Sequence, residues 1–233
     1  MAPISLTPDS IDDLIYSARA GDLESLQSDL STLSAQHSVP QSTIIASAID
    51  TSPAEEGGSG SCLLHYPAAN GNIEILSHLL NVLTSSPATE LSKEEIQKVL
   101  NHRNYSGNTA LHWAALNTHL ECVKALVEAG ADVGVKNEAG LDAVFLAERA
   151  DWDVLPEGVE EEEEEEKGVQ EVEVEIGKLD VGAGEGGNGD EQEKEKAPVT
   201  KGREVAEWLL AAEQDEKVGA SGEDSKEGEA EKK

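Results

Sequence analysis

Two histidines, His65 and His112, are the residues of this chain best suited to acid–base chemistry, and each follows a leucine in the same Leu-His pair. An imidazole can take or give a proton near neutral pH, but catalysis also needs a nucleophile or a second carboxylate held in register with it. No serine or cysteine with a plausible base stands at a matching spacing, and no Asp/Glu pair is set on a rigid element. The two cysteines, Cys62 and Cys122, sit in no C-x-x-C or other ligand spacing, which argues against a disulfide or zinc framework. Gly182-Ala183-Gly184-Glu185-Gly186-Gly187 satisfies G-x-G-x-x-G letter by letter. A dinucleotide site also requires a preceding strand pattern, a following helix pattern and surroundings that do not repel phosphate, and this acidic stretch offers none of them. Asn188-Gly189-Asp190-Glu191 lacks the ligand spacing of a calcium loop. The expectation is no enzyme, no cofactor and no metal.

The elements around the histidines explain them better. Gly107-Asn-Thr-Ala-Leu-His-Trp-Ala-Ala115 is followed by Val123-Lys-Ala-Leu-Val-Glu-Ala-Gly-Ala-Asp132. That succession encodes a tight turn, a short inner helix, an outer helix and a protruding hairpin, which together make one ankyrin repeat. In such a unit the histidine bridges backbone groups across the opening turn. Gly107 and Gly140 are 33 residues apart, one repeat period. Leu111-His112 recurs as Leu64-His65, 47 residues earlier, which is one period plus an insertion of about fourteen. Gly60, Ala68, Asn70 and Glu74 then match Gly107, Ala115, Asn117 and Glu121. A degenerate unit, Ala18-Arg19-Ala20-Gly21-Asp22-Leu23-Glu24, opens the chain, as terminal repeats must meet water on one side.

The predicted fold is all-α: an ankyrin solenoid of about four repeats within 9–152, at 9–33, 57–84, 104–136 and 137–152. The stretch 31–56 reads as a long loop with one helix near Ser42–Ala48. Ser92 and Glu95 form a capping box that predicts an inserted helix over 93–102. Pro67 falls inside the expected inner helix, where a proline costs about 3 kcal/mol in the interior and less in the first turn. That helix should start at about Tyr66 or be distorted. Thr118 stands where Gly71 stands, so its corner should be strained or differently capped. The last unit lacks a contiguous outer helix, because Pro156, Gly158 and Glu160–Glu166 follow its inner helix. Val205, Ala206, Leu209 and Leu210 match the outer-helix positions Cys122, Val123, Leu126 and Val127. A helix over 200–213 is therefore expected to complete the last repeat, which is split by a disordered acidic, glycine-rich loop over 156–198. A disordered tail over 214–233 would follow. Without that helix Phe145 and Leu146 lose a cover worth roughly 1.5–3 kcal/mol each.

A net charge of −31 and a pI of about 4.3 speak against nucleic acid or an anionic membrane as a direct partner and favour a basic protein. Aromatic residues make up 3% of the chain, too few for one large core, so part of it should be unfolded. No apolar stretch approaches twenty residues and no signal-peptide pattern is seen, which points to a reducing compartment. Stacked repeats present a concave face that grips other proteins. On it the expected contacts are Tyr105, Asn108, Trp113, Leu116 and Asn117. Glu138, Leu141 and Asp142 extend the strip on one side, and Ala69 and Asn70 on the other. Trp113 is the anchor candidate, since a tryptophan buries much area at little entropy cost.

The arrangement, more than any one motif, resembles the small fungal ankyrin proteins of the Yar-one type. The resemblance rests on Gly107–Ala114, the Ala18–Leu23 opening, the helical insertion before Asn104, the Gly140–Phe145 start of the last unit and the acidic C-terminal part. It covers about residues 10–152 and part of 199–213; Pro67 and the long split in the last unit depart from it. What it implies is a dedicated chaperone of the basic small-subunit ribosomal protein S-three, keeping that client soluble and shielding its RNA-binding charge before ribosome assembly. The implied state is a monomer alone and a heterodimer with the client, in cytoplasm and nucleus. The alternative is a generic ankyrin adaptor whose acidic stretch serves solubility only.

Overall fold

The computed structural model describes residues 4–84, 91–150 and 200–220, the last six by backbone alone. The expected acidic loop, with its glycine motif and glutamate run, lies outside the described residues, as does the tail beyond 220. Among the described residues the chain is helical, with one isolated antiparallel bridge between Ile49 and Cys62 and no strand. Helices α1 (Pro8–Ala20) and α2 (Leu23–His37) form the first unit, followed by α3 (Gln41–Ser47) and a 3-10 turn at Ala54–Glu56. The second unit is α4 (His65–Asn70) with α5 (Ile73–Thr84), and the inserted helix is α6 (Lys93–Leu100). The third is α7 (Ala110–Leu116) with α8 (Leu120–Glu128); α9 (Ala143–Ala150) and α10 (Lys201–Ala220) close the array.

The helices stack in two rows. α1 packs on α4, α4 on α7 and α7 on α9, which makes the inner row. In the outer row α5 packs on α8 and α8 on α10, while α3 touches both α2 and α5. The core runs between the rows: Leu14, Leu26, Leu30, Leu64, Leu76, Leu79, Leu111, Val123 and Leu126 are all fully buried. α10 packs on α9 and buries Val205, Ala206 and Leu209, so the two halves of the last unit meet although the chain leaves and returns between them. Leu146 on α9 is buried, but Phe145 keeps 36% of its surface exposed and Leu210 43%. Of the two α9 residues for which a cover was expected, Leu146 is thus buried and Phe145 is not.

Local chemistry accounts for the helix limits. α1 is capped by Thr7, whose hydroxyl accepts from the Ser10 amide, and α2 by Asp22, which accepts from Ser25. α2 runs to His37 and so takes up the first part of the expected long loop. Leu30 and Leu33 continue its buried stripe, and the Ser31 and Thr32 hydroxyls bond back to the carbonyls of Gln27 and Ser28. α4 begins at His65, one residue earlier than expected, and Pro67 is its third residue. Amides of a first turn have no intrahelical acceptor, so the missing N–H costs no bond there. Both halves of the Ser92/Glu95 capping box form, and α6 ends at Leu100 rather than at 102. α10 continues to Ala220, past the expected end at 213, because no glycine or proline interrupts it between Gly202 and Gly219.

Two glycines fix how the hairpins stack. Gly60 (φ 68°) and Gly107 (φ 75°) turn the chain in the left-handed region. They also lie directly under the next hairpin. A side-chain carbon on Gly60 would fall 2.5 Å from the Tyr105 ring, and one on Gly107 2.6 Å from the Glu138 amide nitrogen.

Candidate protein-binding groove

Each of the two Leu-His pairs ties its own unit to the next. His112 Nδ1 accepts from the Thr109 amide (3.2 Å) and lies 2.8 Å from its hydroxyl; Nε2 then carries the proton and donates to the Leu141 carbonyl at 3.1 Å. His65 Nε2 donates likewise to the Asn108 carbonyl at 2.9 Å. On its other side stands Cys62, which takes the place of Thr109, with Sγ 3.1 Å from Nδ1. A cysteine beside a histidine is the nucleophile–base pair that the sequence reading did not find, and the match of Cys62 to Thr109 was the signal for it. The pair is inert as a nucleophile. Burial pushes the Cys62 thiol up to about 12 and lowers His65, so both stay neutral, the thiol donating and the imidazole accepting. Cys122 is buried too, and burial raises its thiol to about 11. Among the described residues no group of three or more His, Cys, Asp or Glu could hold a metal ion, and no helix is long and apolar enough to cross a membrane.

The concave side holds a cavity of about 590 Å³ bounded by α1, α4 and α7 and by the hairpin over 50–59. α1 supplies Asp12 and Arg19, the hairpin Asp50 and Glu56, α4 Tyr66 and α7 Trp113. A second hollow, lined by Asp12, Asp13, Tyr16 and Asn70, adjoins it, and Tyr16 is 74% exposed there. Asp50 is held rigidly: its carboxylate accepts from the Ser59 amide (2.6 Å), the Ser59 hydroxyl (2.9 Å) and the Ser52 amide (3.1 Å). Burial alone would raise its pKa, but these bonds outweigh burial and hold it below the ordinary carboxylate value, so it stays charged. The Tyr66 hydroxyl lies 3.3 Å from the same Ser59 hydroxyl, and the Arg19 guanidinium sits 5.8 Å above the Tyr66 ring. A groove with anionic walls and aromatic rings along its floor suits lysine and arginine side chains.

The structure brings three of the expected contact residues, Ala69, Asn70 and Trp113, to this groove. Most of the others serve the stacking of the units. Asn70 itself also donates to the Arg19 carbonyl, and Asn117 donates to that of Ala69 at 2.7 Å, so the same rung repeats from unit to unit. Tyr105 covers Gly60 and donates from its hydroxyl to the Ser52 carbonyl at 2.9 Å. The Asn108 side chain accepts from Asn137, and Glu138 pairs with Arg103 at 2.9 Å. Leu141 offers the carbonyl that His112 reaches, Asp142 caps α9 through the Phe145 amide, and Leu116 is half-buried on α7. Asp12, Arg19, Asp50 and Tyr66 were missed. For α1 a signal existed: Asp12 and Arg19 are seven residues apart and share a helix face. Asp50 and Tyr66 meet only through Ser59, which no spacing announces.

Comparison with known proteins agrees with the repeat architecture. Residues 14–137 match a pattern of three ankyrin repeats. The yeast (Saccharomyces cerevisiae) ankyrin repeat-containing protein YAR1 is 32% identical over 163 residues, which cover 65% of this chain and 74% of that protein. A crystal structure of yeast ribosomal protein Rps3 in complex with its chaperone Yar1 superimposes with a TM-score of 0.54 at 35% identity, over 64% of this chain and 89% of the matched one. A probable E3 ubiquitin-protein ligase of rice, XBOS32, is 30% identical, but over only 18% of its length. The chain belongs to the ankyrin-repeat family, and within it to the group that includes yeast Yar1.

Proposed function

We propose that this chain is a dedicated chaperone of the basic small-subunit ribosomal protein S3, called Rps3 in yeast, and that it holds a basic segment of that client in the groove between α1, α4 and α7. The observation that carries the reading is the match to Yar1 over most of that protein's length, together with the likeness to the Rps3–Yar1 complex. The anionic wall of Asp12, Asp50 and Glu56 and a net charge of −31 support it, because both favour a cationic guest. Ala69, Asn70 and Trp113 touch the client in this reading. Leu116, Tyr105, Asn108, Asn117, Glu138, Leu141 and Asp142 extend the strip and set its curvature. The protein makes and breaks no bond. It masks the client's RNA-binding charge without touching nucleic acid itself, as one copy per client, in cytoplasm and nucleus.

Turbidity of purified Rps3 at physiological salt, with and without an equimolar amount of this chain, is the test. Suppressed aggregation and a one-to-one complex in size-exclusion chromatography are expected; equal precipitation in both samples rejects the reading. Trp113→Ala should weaken the complex by about 2 kcal/mol in titration calorimetry, as for an aromatic anchor.

A further inference from the structure

Arg19 is out of keeping with the groove it lines. Its neighbours there are Asp12, Asp50 and Glu56, a surface made for cations. The repeat does not ask for an arginine at this position. Ala18 and Gly21 match Ala68 and Gly71, so Arg19 matches Ala69, and Leu116 follows one unit later. An arginine returns at that register in Arg149, beyond the units that wall the cavity. Among the described residues Arg103, Lys124 and Arg203 each pair with a glutamate, whereas Arg19 pairs with no carboxylate even in this acidic setting. Its guanidinium lies over the Tyr66 ring instead, and that ring is steadied by the contact of its hydroxyl with Ser59. A guanidinium 5.8 Å from the ring centroid keeps its N–H groups available, and its planar fork suits two-point pairing with a carboxylate.

We propose that Arg19 is a specificity-determining residue: it pairs with an acidic side chain on the bound basic segment, so the groove selects a cationic segment that carries one carboxylate in register with its cations. This rests on the chaperone reading above and names what that client segment must contain. A competing role exists, since Arg19 lies in the last turn of α1, where any cation interacts well with the carbonyl end of the helix. Lysine fills that role equally well and cannot offer the planar fork.

The test is titration of Rps3 with the full chain and its Arg19→Lys, Arg19→Ala and Arg19→Glu variants at one ionic strength, with thermal melting of each. Bulk electrostatics alone makes Arg19→Ala bind a basic client as well as the wild type or better, because a positive charge has been removed. Direct pairing predicts the reverse: Arg19→Ala weaker by about tenfold or more, Arg19→Lys in between and Arg19→Glu weakest. If Arg19→Ala melts early, the Lys variant, which keeps the helix-end charge, carries the comparison. A scan of single Asp/Glu→Lys changes in Rps3 against Arg19→Glu should find one position that restores binding. Unchanged or tighter binding by the Ala and Lys variants, or a scan with no restoring position, overturns the role of Arg19 and leaves the chaperone reading standing. A wild type that does not bind Rps3 overturns both.

Discussion

Thr118 turns the corner between α7 and α8 with φ 57°, while the matching corner between α4 and α5 uses Gly71 at 72°. For a β-branched residue that region costs about 1–2 kcal/mol, of which glycine returns part to the unfolded chain as entropy. Thr118→Gly should therefore raise unfolding stability by about 0.5–1 kcal/mol in urea titration. The strain was legible because Thr118 aligns with a glycine; the Cys62–His65 pair was signalled by the match of Cys62 to Thr109, but its inertness was not, because spacing does not report burial. The histidines carry a second expectation. His65, His102 and His112 are held below the ordinary pKa chiefly by burial, against hydrogen bonds to Asn108, Gly60 and Leu141 that pull the other way. They are neutral in the fold, while the unfolded chain takes up protons below about pH 6.5. Their contribution is intact above that value and is lost as pH falls towards the lower folded pKa. The melting temperature should hold level above about pH 7 and decline between about pH 6.5 and 5, before the carboxylates titrate. His112→Ala should melt lower throughout and show a shallower decline, since the bridge from Thr109 to Leu141 is already gone.

At the scale of elements, α10 is the informative one. Its apolar positions recur at outer-helix spacing, which is why it could be assigned to the last unit across a long stretch of other sequence. Val205 and Leu209 are fully buried. Leu209→Ala should cost about 2–4 kcal/mol, and ending the chain before Thr200 should unfold α9 while leaving the first three units folded. Hydrogen exchange would register loss of protection confined to 143–150; protection retained there would mean that α10 is not the cover. The place of α3 was not legible in the same way. A helix could be read near Ser42–Ala48, but its wedge between α2 and α5 depends on how two units meet, and neither unit alone contains that information. Pro67 was legible as a conflict, and the frame of the helix resolved it: its match Ala114 is the fifth residue of α7, but α4 starts two residues later in the repeat, which leaves Pro67 third and in the first turn.

At the scale of the whole molecule, charge governs association. The groove walls and the chain as a whole carry the same sign, so attraction for a basic client should be long-ranged and screened by salt. Affinity for Rps3, and above all the association rate, should fall clearly between low and high ionic strength in stopped-flow mixing. A generic adaptor with an apolar groove would show little change.

The glycine contacts that seat one hairpin on the next are not distributed evenly. Gly60 and Gly107 press against the following hairpin closely enough to exclude any added carbon, whereas the first unit has Ser10, inside α1, at that register. The first unit also has Ile15 where the later ones have His65 and His112, so no imidazole fastens it to its neighbour. The first unit is held to the second instead by the Asn70 and Asn72 side-chain amides, which donate to the Arg19 and Ala18 carbonyls. Since Asp12 and Arg19 belong to that unit, those two amides, and not a histidine, help set where the amino-terminal wall of the cleft stands.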